Sequence, residues 1–411
     1  MDYRPRVVSF DVLRGIAVIL VLGRHMAAPA AQVSGLLRRC AELWIQVGWI
    51  GVDLFFVLSG FLVSGLLFTE YQRHGSVDVV RFLIRRGFKI YPGFYFMILI
   101  TVLILVTGGA FDAAMATKLL AEVFYVQSYL PGLWNHTWFL AVEEHFYVLL
   151  TAGVYAAAPR HRRGREPDPF RRFLRLAVLI VLAITVVRSL TPYVSLYVYG
   201  KELNATHLRL ETHARIDTLI VGVILSYLYH FQRISLLETA RRHRTVLTIA
   251  SVVLLTPPLL WPLDRSAVMP SIGLLCIAVG FAGILLVCLP PTGRIRERHA
   301  IISRMTSPLA SIGFHSHSIY LWHMPAQIVM MPIIVAALLP ATATPDVTFA
   351  FKTGIYLTAA VIVGVWIGRF IEQPALAVRD RLFPTRAGGL AGSVRPSDVS
   401  EQWTPIAPSP R

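Results

Sequence analysis

Charge is scarce in this chain: Asp, Glu, Lys and Arg make up 15% of its 411 residues, against about a quarter in an average soluble domain. Carboxylates are the scarcer sign, 23 against 39 Lys and Arg, for a net charge of +16. Cysteine is rarer still. Cys40, Cys276 and Cys288 form no even disulfide framework and no metal-ligand spacing, and the last two lie in an apolar run where packed thiols are expected. No internal repeat of the transporter kind stands out. What is abundant is hydrophobicity: 55% of residues are apolar and the mean hydropathy is +0.61. The apolar residues come in runs long enough to cross a bilayer, about 20 residues each. The basic residues punctuate these runs, so membrane orientation explains the positive charge and nucleic-acid binding is not expected.

Ten apolar segments are expected to span the membrane, at about 8–28, 46–69, 89–107, 137–158, 174–191, 214–230, 245–263, 268–289, 308–339 and 352–372. The first resembles a signal peptide, with Arg4 and Arg6 ahead of it and Ala27-Ala28-Pro29-Ala30-Ala31 behind. Arg14 interrupts what would have to be an uncharged core, so the segment reads as a retained helix. The ninth holds Pro325 and is expected to kink or break there. Lys and Arg alternate between the connections: 70–89, 159–175, 231–244 and 290–305 hold 20, and the intervening outer connections hold 7. That asymmetry predicts an all-α, multi-pass protein of the plasma (inner) membrane with both ends in the cytoplasm. Residues 1–376 are expected to form the membrane domain. The stretch 377–411, rich in Pro, Ser, Gly and Arg, is expected to be a disordered cytoplasmic tail with no soluble domain within it.

Ionisable residues inside apolar segments are costly unless they face a partner or a cavity, so they lead to the functional site. Arg14 and His25 share the first helix. Eleven steps of about 100° bring them to within about 20° of one face, and about 16 Å apart along the axis. Arg24 is expected to project away toward the interface. Asp53, Glu143, the Arg215–Asp217 stretch and His323 fall at about the depth of His25, which predicts one polar site in the outer half of the membrane. Tyr147, four residues after Glu143, shares its face. Arg85, Arg86 and Lys89 cluster in the first inner connection and suit phosphate, with Glu372 available to neutralise one of them. Structural ion pairs and positive-inside charge are the plain alternatives for these groups. Gly51, Gly60 and Gly65 are expected to allow close helix packing rather than ligand binding. His315 and His317 near His323 have no metal-site spacing, so no metal is expected.

At these residues the chain resembles the acyltransferase-3 family of integral-membrane O-acyltransferases. The carriers are Phe10-Asp11-Val12-Leu13-Arg14-Gly15 with His25 eleven residues after Arg14, Gly51-Val52-Asp53-Leu54-Phe55-Phe56-Val57-Leu58-Ser59-Gly60-Phe61, and Arg85-Arg86-Gly87-Phe88-Lys89-Ile90-Tyr91-Pro92. Trp138-Phe139-Leu140-Ala141-Val142-Glu143, Arg215-Ile216-Asp217, Tyr320-Leu321-Trp322-His323 and Ile371-Glu372-Gln373-Pro374 complete the series. The resemblance implies transfer of an acyl group, often acetyl, from acyl-CoA to a hydroxyl of a carbohydrate or lipid-linked glycan, with no bound cofactor. It implies roles for Arg14, His25 and the basic loop. Lys89 stands where the family's motif usually has arginine, keeping the charge without the bidentate fork. Phosphates would sit on Arg14, Arg85, Arg86 and Lys89, and His25 would take the hydroxyl proton with Glu143 or Asp53 orienting it. A proton-coupled transporter of a small solute is the alternative, since the same residue types form proton relays. A non-catalytic scaffold for glycan assembly is a third.

Overall fold

A computed structural model describes residues 8–158, 170–199, 209–261, 268–289, 308–340 and 342–386. Among them every regular element is helical. In chain order they include α1 (Val8–His25), α2 (Gly35–Val47), α3 (Ile50–His74), α4 (Val79–Thr107), α5 (Ala113–Val123), α6 (Trp138–Ala157), α7 (Arg171–Tyr199), α8 (Thr212–Phe231), α9 (Arg233–Arg242), α10 (Arg244–Leu254), α11 (Pro257–Leu260), α12 (Met269–Cys288), α13 (Ser316–Leu338) and α14 (Pro345–Leu382), with 308–314 also helical ahead of α13. Among the described residues seven helical stretches are long and apolar enough to cross a membrane, and the pair α9 and α10–α11, bent by 86°, makes up to eight. The chain is therefore a multi-pass membrane protein. Two further expected segments are also helices: α1, which carries Asp11, Arg14 and Arg24, and α6, which carries Glu143 and Glu144. Their charges are the reason apolarity alone does not single them out.

Sequence chemistry sets the helix ends. Asp78 caps α4 by accepting from the Arg81 amide at 3.0 Å, and Asp112 caps α5 by accepting from the Met115 amide at 2.8 Å. Asp11 opens α1 while Arg24 and His25 close it, each sign opposing the helix dipole. Gly75, at φ 67°, ends α3 in the left-handed conformation. The expected break at Pro325 takes a milder form: α13 continues through a π-helical turn at Ala326–Met330, which absorbs the lost backbone hydrogen bond. Two of the expected outer connections hold helix: α2 begins in one and α5 lies in another.

α3 lies at the centre, packed on α1, α6, α8 and α12. Its glycines permit this. A methyl on Gly60 would enter the Leu219 carbonyl and approach the Gly222 Cα to 3.2 Å. A methyl on Gly51 would fall on the Ala17 carbonyl and come within 3.0 Å of the Leu20 Cβ. Small residues here let helix backbones touch, as expected. Leu99, Val187, Ile249 and Trp366 are exposed on the outside, as an apolar belt in lipid requires. α14 passes residue 376 without a break and ends at Leu382. Pro384 then accepts from the Arg81 guanidinium at 2.6 Å. Thus 377–382 are helical rather than part of a tail. Residues 387–411 and the basic stretches 159–169 and 290–307 lie outside the described residues.

Candidate active site

Two cavities follow one another through the bundle. The first, about 330 Å³, is lined by Arg14, Ser59, Arg86, Lys89, Glu143, Tyr147, His315, His317, Tyr320, Glu372 and Arg379. The second, about 140 Å³, is lined by Arg24, His25, Trp49, Trp138, Arg209, Arg215 and Tyr320. Arg14 and His25 thus each line a cavity, as their common helix face suggested. The cavities are distinct, however: among the residues expected at one depth, Glu143 lines the first and His25 and Arg215 line the second. Phe55 and Phe139 both line the first cavity. Their rings meet that of Tyr320, with centroids 6.3 Å apart for Phe55 and 4.6 Å for Phe139. Tyr320 is shared by both cavities and is pinned by donating its hydroxyl to the His136 carbonyl at 2.6 Å.

His25 and His323 are at one depth, as expected: their ring centroids are 5.0 Å apart. His136 extends the row, 4.9 Å from His323. The rings are held by backbone: His323 Nδ1 lies 2.5 Å from the Tyr320 carbonyl and His136 Nε2 lies 3.1 Å from the Leu321 carbonyl. Among the described residues His25 forms no hydrogen bond or ion pair with Glu143 or Asp53, the two alternatives expected to orient it; both meet other groups. Asp53 is fully buried and accepts from Arg215 Nη2 at 2.7 Å. Glu143 accepts from the Ser59 hydroxyl in the first cavity, with the Tyr147 hydroxyl 3.2 Å from that same Ser59 oxygen. α6 therefore places Trp138 on the second cavity and Glu143 and Tyr147 on the first, one and a half turns and more along the helix.

Asp217 is also accounted for. It receives a two-pronged ion pair from Arg188, whose Nη1 lies 3.1 Å from Oδ1 and whose Nη1 also donates to the Ala214 carbonyl at 2.6 Å. Arg215 lies over the rings of Phe56 and Trp138, 5.6 and 5.8 Å from their centroids. These two buried ion pairs knit α7, α8 and α3 beside the second cavity. Arg215 reaches the cavity wall; Asp217 does not line it.

The basic residues of the first cavity divide. Arg86 lies 4.7 Å over the Tyr147 ring and forms no salt bridge among the described residues. Lys89 pairs with Glu372, whose other oxygen accepts from Ser318 at 2.7 Å. The expected neutralising role of Glu372 is therefore seen at Lys89. Arg14 is paired with Asp11 at 3.2 Å and is one-third exposed. Arg85 departs from expectation. It turns away from the cavity to Asp380, 3.0 Å away, and to the Phe383 carbonyl. The end of α14 recruits it.

Several site residues escape a sequence reading. Arg188 stands in an apolar run and obeys the same rule that singled out Arg14, so it could have been found. Arg24 lines the second cavity and donates to the Ile45 carbonyl at 3.3 Å, instead of reaching outward. Arg379 belongs to a stretch read as tail, and His136 to the edge of a segment; neither had an intramembrane signal.

The arrangement offers cations and carboxylates on one side of an aromatic layer, and an imidazole with arginines and tryptophans on the other. No group of three or more metal-ligating side chains occurs among the described residues. Residues 7–392 match the model of the acyltransferase 3 family, described as an acyltransferase domain. The peptidoglycan O-acetyltransferase OatA of Listeria monocytogenes is 27% identical over 394 residues, covering 90% of this chain and 56% of the relative. The O-acetyltransferase OatA of Staphylococcus aureus is 25% identical over 389 residues, covering 90% and 58%. The chain thus spans little more than half the length of these curated relatives. No solved structure matches it. A family match running through nearly the whole helical bundle, with Arg14 and His25 each on a cavity wall, makes the chain a member of the acyltransferase-3 family.

Proposed function

We propose that this protein is a plasma-membrane O-acyltransferase that moves an acyl group, typically acetyl, from acyl-CoA to a hydroxyl of a carbohydrate or lipid-linked glycan. The observation that carries this reading is the placing of Arg14 and His25, one helix face apart by about 16 Å, on two cavities that abut at Tyr320. The helices are read as ten crossings with both ends in the cytoplasm: the eight apolar stretches plus α1 and α6. The first cavity then opens toward the cytoplasm, where acyl-CoA is made.

In this scheme Arg86 and Arg14 hold the donor's phosphates, Arg86 as a planar fork steadied on Tyr147. Lys89, tied to Glu372, shapes the wall. Glu143, Ser59 and Tyr147 form a polar lining along which the pantetheine arm reaches the aromatic layer. The arm passes Phe55, Phe139 and Tyr320 and presents its thioester to the second cavity. His25 accepts the proton of the acceptor hydroxyl as the oxygen attacks the thioester carbon. The carbon–oxygen bond forms, the carbon–sulfur bond breaks, and CoA leaves as the thiol after taking a proton. His323 and His136 position the His25 ring by packing rather than by charge. The relatives are transferases, and no observation favours the transporter alternative.

The test uses the protein in lipid vesicles, supplied with labelled acetyl-CoA and a cell-envelope glycan preparation. Covalent label on glycan is expected, and His25→Ala should abolish it while the thermal midpoint stays within a few degrees of wild type. Transfer by that variant at the wild-type rate refutes the role given to His25.

A further inference from the structure

Two buried arginine–aspartate pairs brace α8, and they are not built alike. Arg188 spends both ends of its fork: Nη1 and Nη2 each meet an oxygen of Asp217, and Nη1 also donates to the Ala214 carbonyl. Neither Arg188 nor Asp217 lines either cavity. The Arg215 pair is single-pronged. Nη2 donates to Asp53 Oδ1 at 2.7 Å, and Asp53 Oδ2 has no hydrogen-bond partner. Among the described residues Asp53 is the one hydrogen-bond partner of Arg215. The Arg215 side chain is 2% exposed, and it lines the second cavity together with His25.

Arg215 is also held from its faces, 5.6 Å from the Phe56 ring centroid and 5.8 Å from that of Trp138. A guanidinium gripped by one carboxylate oxygen and two rings keeps the remaining N–H groups of its planar fork in one orientation. The transfer proposed for this cavity calls for such a donor. As the acceptor oxygen adds to the thioester carbon, negative charge develops on the carbonyl oxygen. Donors fixed in advance in a water-poor site stabilise that charge far more than they would in water. The Tyr320 hydroxyl is committed to the His136 carbonyl at 2.6 Å. Arg24 and Arg209, on the same lining, are engaged with other groups. Arg215 combines burial, a fixed orientation and an open half-fork.

We propose that the open half of the Arg215 fork receives the oxyanion of the tetrahedral intermediate while His25 takes the acceptor's proton. The hydroxyl oxygen bonds to the carbonyl carbon, the carbonyl electron pair moves onto oxygen against Arg215, and the hydroxyl proton goes to His25. The electron pair then returns, the carbon–sulfur bond breaks, and the thiolate takes the proton from His25. This deepens the transferase reading and rests on it.

Lysine separates this role from that of a brace. Arg215→Lys can still pair with Asp53 through its one ammonium but has no second arm. The assay uses the protein in lipid vesicles with labelled acetyl-CoA and the envelope glycan preparation. The kcat of Arg215→Lys is expected to fall about a hundredfold, with KM for acetyl-CoA and for glycan within about twofold of wild type. The thermal midpoint should stay within a few degrees. A wild-type kcat overturns the proposal and leaves Arg215 as a brace. An unchanged kcat with a raised KM for glycan also overturns it, because the arm then holds bound acceptor rather than the oxyanion. The second variant combines Arg215→Gln with Asp53→Asn, which removes both charges and strands neither. The same loss of kcat at unchanged KM is expected, and a wild-type kcat overturns the proposal here too. Where the lysine variant does not accumulate, this pair of substitutions decides. Wild-type protein that puts no covalent label on glycan overturns the transferase reading itself, a result distinct from each of these.

Discussion

Replacing Asp217 with alanine leaves the Arg188 guanidinium buried among helices without its carboxylate. Arg188 is 1% exposed and Asp217 is 0% exposed, so water cannot take the partner's place. The guanidinium keeps its bond to the Ala214 carbonyl but loses both contacts to Asp217. Breaking a buried pair from one side costs about 3–5 kcal/mol. At about 2–4 °C per kcal/mol for a sizeable domain, the apparent unfolding midpoint in detergent should fall by about 6–20 °C. Replacing both residues by methionine removes the stranded charge and fills a similar volume, and such exchanges are often neutral or stabilising. The double variant should therefore recover most of the lost midpoint, and with it acyl transfer. A scanning fluorimetry series on wild type, Asp217→Ala and the double variant decides the matter. If the double variant unfolds as early as the single, the pair is not the simple structural brace drawn here. If it is stable but inactive, Asp217 or Arg188 takes part in the chemistry.

Two other outcomes are expected. Glu122 is completely buried at the end of α5, accepting from the Thr137 hydroxyl at 2.8 Å and the Trp134 amide at 3.1 Å; burial pushes its carboxyl up to about 7. A raised acid is most stabilising when protonated, so its contribution is full below about pH 4.5 and eroded as pH rises to about 7, by about 3 kcal/mol; the thermal midpoint of wild type should fall between pH 5 and pH 8 relative to that of Glu122→Gln, and parallel profiles would refute this. Valine at Gly222 would drive a side chain into the Val57 carbonyl and to within 2.8 Å of the Phe61 amide nitrogen, so little monodisperse protein should survive size-exclusion chromatography; a normal yield would contradict the close crossing of α3 and α8.

The helical segments were readable because a bilayer imposes a length on them, and every one of the ten expected spans falls on a helix or helix pair. Arg14 and His25 were readable because a charge and an imidazole inside an apolar run need a reason to be there. Depth along a helix was less informative. Counting residues put Glu143 level with His25, yet Glu143 lines the first cavity and His25 the second. Partnerships across helices were not readable at all. Asp53 is drawn to Arg215 and Asp217 to Arg188 by packing between segments that sequence spacing does not relate. The same holds for Arg85, which the end of α14 captures from 295 positions away.

In the proposed function, donor and acceptor approach from opposite faces and meet at the Phe55–Phe139–Tyr320 layer. Sealed vesicles of known orientation, given labelled acetyl-CoA on one face and acceptor on the other, measure it directly. Label should reach the acceptor only when acetyl-CoA is on the face where Arg14 and Arg86 open and the acceptor is on the face where His25 opens. Transfer that requires both on the same face would contradict the claim.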